Sequence, residues 1–274
     1  MARYQRKRAR ELQHDRFRDT TMNLLDRLGD RLAGKGRTIL YGIAAVIALA
    51  VLFSLVSSWR ERKANEARRA LGHAIEIAEA PVNNANATPP PAAASGLSFS
   101  SERERAQKAV EEFQKVADKY PDPYRENARY FAANNLLTLD HNKGIAELQS
   151  LTKSGDREIA TLAKFALAQA YEADAKYNEA APIYNELAKA NSELIPADTA
   201  NLRLASVYEK LDKKKEAADI YFAILDASRK AKGADGKPAT QTSAAREADQ
   251  KLATLDPARY AQLPTAPVAS NLAF

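Results

Sequence analysis

Three histidines, 35 carboxylates and no cysteine are the side chains available for chemistry in this 274-residue chain. Without cysteine there is no disulfide, no thiolate-held zinc or iron–sulfur centre and no thiol nucleophile. His14, His73 and His141 have no ligand-spaced neighbours, so a histidine metal site lacks its partners. Adjacent acids such as Glu111 and Glu112 point in different directions on a helix and cannot work as an acid/base pair. The chain contains no glycine-rich phosphate loop, no HExxH and no GxSxG. These residues name no catalytic group, no cofactor, no metal and no small-molecule substrate. The expectation is a non-enzymatic protein.

The charge balance points to one end of the chain. Lys and Arg number 41 against 35 Asp and Glu, a formal net charge of +6. Residues 1–37 hold 11 basic and 5 acidic side chains, so the remaining 30 of each cancel. A body without a basic excess is a poor partner for phosphates, which disfavours nucleic acid as its ligand. The basic run MARYQRKRAR at 1–10 suits attraction to anionic lipid and control of topology. A ribosome or RNA contact through this tail is the alternative. Leu24, Leu28 and Leu32 follow at helical spacing, which predicts a short helix at the membrane interface within residues 12–32.

No charged residue lies between Arg37 and Arg60. The 21 residues Thr38–Ser58 are mostly Ile, Leu, Val and Ala, and as a helix they extend roughly 31 Å, about the hydrocarbon thickness of a bilayer. Only a helix or a closed barrel satisfies its own backbone in lipid, so one transmembrane helix is predicted at 38–58. Tyr41 and Trp59 sit near its ends, where amphipathic rings favour the interface. Residues 18–37 and 60–79 carry 5 Lys/Arg each, a tie that the rest of the basic tail breaks. The expected topology is a single-pass plasma (inner) membrane protein. Its N-terminus is cytoplasmic and its C-terminal domain extracytoplasmic, periplasmic in a Gram-negative cell.

Beyond the span the composition is helical, and one spacing recurs. Leu167, Ala168, Tyr171, Ala180, Tyr184 and Leu187 return 37 residues later as Leu204, Ala205, Tyr208, Ala217, Tyr221 and Ile224. Phe131, Ala132, Asn135, Gly144, Leu148 and Leu151 align 36 residues earlier, and Ala109, Phe113 and Val116 a further 35 before the last three. Small residues let paired helices approach, and large ones fill the space between pairs. No pair buries its apolar face alone, so the pairs must stack.

The predicted organisation follows: a basic tail at 1–37, the span at 38–58, and a first repeat helix at 60–80 with Leu71-Gly72 as its packing pair. An uncharged Pro/Ala/Asn linker then occupies 81–100, helical repeats with a capping helix fill 101–255, and an irregular tail ends the chain at 256–274.

At Leu167, Ala168, Tyr171, Ala180, Tyr184 and Leu187 the chain resembles tetratricopeptide repeats. Lys164 and Asn201 stand where that family has a Trp, and the period exceeds the usual 34. The resemblance implies an all-α solenoid after a single transmembrane helix. It also implies a partner-binding groove lined by Arg129, Leu136, Phe165, Gln169, Glu172, Leu202, Ser206 and Glu209, with Phe165 and Leu202 exposed among polar groups.

The arrangement as a whole resembles the YfgM-type ancillary subunit family of the SecYEG translocon, single-span proteins with a periplasmic tetratricopeptide-like domain. That resemblance covers roughly residues 24–232. It implies protein partners: translocon subunits in the membrane, and periplasmic chaperones or exported chains outside it. The long tail and the 81–100 insert depart from that family. A scaffold for another envelope assembly, such as cell-wall or pilus machinery, shares every feature.

Overall fold

The computed structural model of the chain describes residues 36–82, 97–233 and 236–265. The predicted interfacial helix at 12–32, nearly all of the basic tail, most of the 81–100 insert and the last nine residues lie outside them. The described residues are helical, without a strand: α1 (Gly36–Glu79), α2 (Glu102–Lys119), α3 (Tyr124–Leu139), α4 (His141–Leu151), α5 (Arg157–Ala173), α6 (Tyr177–Ala190), α7 (Ala197–Lys210), α8 (Lys214–Lys230), α9 (Ser243–Leu255) and the single turn α10 (Pro257–Tyr260).

Two compact units divide the chain, residues 1–65 and 66–274. In the first, α1 is long and apolar enough to cross a membrane. Its best window has mean hydropathy 2.2 and none of it is buried inside the protein. Phe53, Tyr41 and Leu49 are largely exposed. This is the opposite of a soluble core helix, whose apolar side chains are covered.

From α2 onward each helix packs on the next in sequence. Ser101, Asp140, Asp156 and Thr242 start α2, α4, α5 and α9 by accepting hydrogen bonds from backbone N–H groups of the first turn. Glu104 returns the favour by accepting from the Ser100 N–H and hydroxyl.

Four apolar clusters form the core, and each takes residues from three or more consecutive helices. The end of α1 gives Ala67, Ala74 and Ile77 to a cluster with Phe113, Val116 and Ala128, where Phe113 stacks on Phe131 at 5.4 Å. Ala133, Leu148, Leu151, Ala163 and Leu167 join α3, α4 and α5. Ala168, Tyr184, Leu187, Leu204 and Val207 join α5, α6 and α7. Leu202, Tyr221, Leu225, Ala245 and Leu252 join α7, α8 and α9. Every helix pair therefore completes its neighbours' cores, and the fold is an all-α stack of helix pairs.

The small residues do what their spacing implies, with one correction. A Cβ on Gly144 would lie 2.7 Å from the Leu137 nitrogen and 3.1 Å from the Ala133 oxygen, so α3 and α4 touch backbone to backbone there. Gly72 has nothing within 4 Å of such an atom and is exposed. The packing positions of that helix are Ala67 and Ala74 instead, both buried. Leu71 of the expected pair is half-buried against the first core cluster, so the expectation fails at Gly72 alone.

Two segments expected to be irregular are partly packed. The ends of the insert are fastened: the Phe99 N–H donates to the Pro81 oxygen at 3.1 Å, and Leu97 and Phe99 rest on the first core cluster. Residues 256–265 form α10 and a turn that buries Leu263 against α8 and α9. Arg229, with its side chain 5% exposed, holds this strap by donating to Asp249 at 2.7 Å, to the Tyr260 hydroxyl and to the Pro264 oxygen. The apolar Tyr260 and Leu263 cover the last pair, which has no further neighbour to do so.

Candidate functional site

The turn between the two helices of a pair is built identically at α5–α6 and α7–α8. Ala175 and Asp212, 37 residues apart, take the left-handed conformation at φ 57° and 58°. This reverses the chain so that Lys176 N–H reaches the Tyr171 oxygen at 2.8 Å, and Lys213 N–H the Tyr208 oxygen at 2.9 Å. Each lysine ammonium lies over the matching tyrosine ring, at 5.9 Å and 5.4 Å. The α3–α4 pair turns through Asp140 alone, yet Ala132 and Gly144 keep the same 12-residue spacing as Ala168 and Ala180, so the shorter period arises in the link between pairs.

From this turn the same polar triad is assembled twice. The Tyr184 hydroxyl donates to Glu172 at 2.9 Å, and Arg203 of the next pair meets that carboxylate at 2.8 Å. One repeat later the Tyr221 hydroxyl donates to Glu209 at 2.5 Å, and Lys251 of α9 reaches it at 3.2 Å. Burial pushes the ionisation of both phenols up, because a phenolate would lose its water there. Each stays a donor, each glutamate an acceptor, and each cation joins one pair to the next. Glu247 of α9 adds its charge near Arg203 and Tyr221. At the corresponding positions the α3–α4 pair has the apolar residues Leu136 and Leu148.

The eight predicted groove residues fall on the first helices of three successive pairs, α3, α5 and α7. Glu172 and Glu209 are engaged in the triads. Leu202 is 8% exposed and part of the last core cluster, so the expectation of an exposed Leu202 is corrected: it points into the α7–α8–α9 core. Phe165 is half-buried, edge-on to Tyr184 at 6.0 Å. Gln169 is exposed and Ser206 half-buried.

Arg129 and Leu136 do come together, in a cleft of about 420 Å³ with Gln114, Ala117, Ala132, Lys143, Ala146 and Glu147. Its floor is alanine and leucine, and its rim is charged. Arg129 is fixed there by Glu147 at 2.7 Å and Glu126 at 2.9 Å. A second, shallower hollow of about 650 Å³ runs along α9 beside Arg246, Glu247, Gln250 and Lys251.

Sequence reasoning missed Arg203, Lys251 and Arg229. The Glu–Tyr spacing of 12 occurs twice, 37 residues apart, and signals the joints but not the cations that complete them.

No group of three or more metal-ligating side chains occurs among the described residues. His141 opens α4 with Nε2 2.8 Å from Asp174 and Nδ1 3.3 Å from the Leu137 oxygen, a helix-start contact between pairs. What these surfaces offer is shape, an apolar floor and fixed charges.

The architecture defines a class, stacked helical pairs carrying a span-length apolar helix. Within it, no family model and no curated protein matches the chain. Among solved structures, the chain is similar to one from Podosopora anserina assigned as a kinesin light chain with nearly identical TPR-like repeats. That match has 15% identity and a TM-score of 0.44, and covers 56% of this chain and 79% of the other.

Proposed function

We propose that this chain is a membrane-anchored adaptor that binds other proteins through its helical stack and performs no catalysis. The observation that carries the reading is α1 itself. It carries a bare apolar segment of span length, and residues 66–274 form a stack of paired helices. A protein that keeps its apolar helix uncovered needs lipid around it. One that carries a stack of paired helices presents extended surface for polypeptides.

Within this reading the N-terminus is cytoplasmic, the stack extracytoplasmic, and the protein an accessory subunit of the Sec translocon that assists exported chains or their chaperones. The basic tail and the resemblance of the whole arrangement support it. The cleft around Arg129 and Leu136 and the surface at Gln169 are the contact points.

The test is photo-crosslinking in intact membranes with probes at Leu136 and Gln169, alongside a variant lacking residues 1–20. Translocon subunits or exported chains on the stack probes, unaffected by the deletion, support the reading. Recovery of cell-wall or pilus components instead would make the chain a scaffold for that assembly. Recovery of ribosomal components, lost on deletion, would assign the function to the tail. Protease protection of residues 66–274 in right-side-out spheroplasts would reverse the orientation.

A further inference from the structure

The first turn of α1 beyond the apolar segment has an asymmetric charge arrangement. Trp59, Arg60, Glu61, Arg62 and Lys63 are all exposed. At roughly 100° per residue, Trp59, Arg62, Lys63 and Arg60 fall within an arc of about 160°, and Glu61 lies diametrically opposite its centre. Lys63 stands one turn after Trp59 with its ammonium over the indole, 4.6 Å from the ring centre. No ion pair to Arg60, Arg62 or Lys63 occurs among the described residues. Among the described residues these three cations on one side of the helix thus carry no ion pair, Glu66 one turn further on being engaged by Lys119 at 2.6 Å, and they lie beside the chain's sole tryptophan.

We propose that this turn is a binding site for anionic phospholipid headgroups, in the leaflet at the C-terminal end of the span. The inference rests on α1 crossing a bilayer. The rise from Trp59 to Lys63 is about 6 Å, which matches the roughly 5–8 Å of headgroup layer on each side of the hydrocarbon. Trp59 sits at that boundary as an amphipathic ring, and Lys63 is held above it by the cation–π contact. Arg60 and Arg62 reach the same layer and offer forked donors to phosphate. Each basic side chain at such a surface favours anionic over zwitterionic lipid roughly fivefold. The site lies at the opposite end of the span from the basic tail.

Trp59 supplies the readout. Full-length protein is reconstituted in phosphatidylcholine vesicles containing brominated phosphatidylglycerol or, at equal mole fraction, brominated phosphatidylcholine. Stronger quenching of Trp59 by the brominated anionic lipid is expected, with an apparent preference of at least fivefold. It should disappear in R60Q/R62Q/K63Q and persist when the basic residues of 1–10 are replaced by glutamine. Equal quenching by the two lipids in the wild-type chain overturns the site while leaving the span intact. Quenching by neither overturns the membrane reading and the site with it. A preference that follows the tail rather than the collar also overturns the site.

Discussion

Two glycines in helix interiors should respond oppositely to the same added methyl group. Replacing exposed Gly72 in α1 by alanine adds nothing to clash with. It should stabilise the helix by about 0.8–1 kcal/mol, the propensity difference between the two residues. Replacing Gly144 gains the same propensity. It also places a carbon 2.7 Å from the Leu137 nitrogen, 2.8 Å from its Cδ2 and 3.1 Å from the Ala133 oxygen. A leucine methyl can rotate away, but backbone atoms of the facing helix cannot, so α3 and α4 must separate. Overpacking of this kind costs about 1–3 kcal/mol. Subtracting the propensity gain of about 1 kcal/mol leaves Gly144→Ala about 0–2 kcal/mol less stable than the parent, and about 1–3 kcal/mol below Gly72→Ala. Thermal melts of the full chain in detergent, followed at 222 nm, convert 1 kcal/mol into about 2–4 °C for a domain of this size. The two variants should therefore differ by about 2–12 °C, with Gly72→Ala above the parent and Gly144→Ala at or below it. Equal upward shifts would refute the close approach of α3 and α4 on which the helix-pair reading depends.

Three further outcomes follow from the polar contacts. Tyr221→Phe removes the donor to Glu209, which keeps Lys251, and should cost about 1–2 kcal/mol in urea melts; Tyr184→Phe should cost a similar amount and the two losses should add. Arg229→Met frees the strap at 256–265 with a loss of about 2 kcal/mol, Asp249 being partly solvated, and limited proteolysis should then cut near Pro264 before any other site in the stack. Glu111 accepts from Lys108 and Lys115, which hold its carboxyl down at about 2 against an ordinary 4.5. A depressed carboxylate adds stability above 4.5 that falls away as the pH drops towards 2. Carboxyl NMR titration should find this shift and see it shrink in high salt, since the group is exposed.

Periodicity made much of the fold legible, and single-position identity made less. Leu167, Tyr184 and Tyr221 announced core positions because each is large, apolar and repeated, and the stack requires something of that size at that place. Gly72 misled because a small residue is needed where two helices touch but is tolerated anywhere. Without a fixed spacing to its partner helix, the two cases look alike. Residues 256–265 were read through Pro257 and Pro264 as irregular, although what places them is Arg229, 35 residues upstream of Pro264. The surface was harder still. Leu202 holds the same repeat position as Arg129 and Phe165, yet α9 covers it, because the last pair needs a cap that inner pairs do not. Glu172 and Glu209 were visible as charges near a groove. Their true partners, Arg203 and Lys251, sit one pair further on, at a distance that no local pattern encodes.

The twice-built joint of tyrosine, glutamate and following cation makes this part of the chain interchangeable. Removing the 37 residues from Ala173 to Glu209 would bring Glu172 into the place Glu209 vacates, before the same left-handed turn position and with Tyr221 and Lys251 awaiting it. Nature or an engineer could thus shorten the molecule by one storey, or lengthen it by duplicating those residues, without designing a new junction. The reach of the protein would change in fixed steps while its two ends stayed as they are.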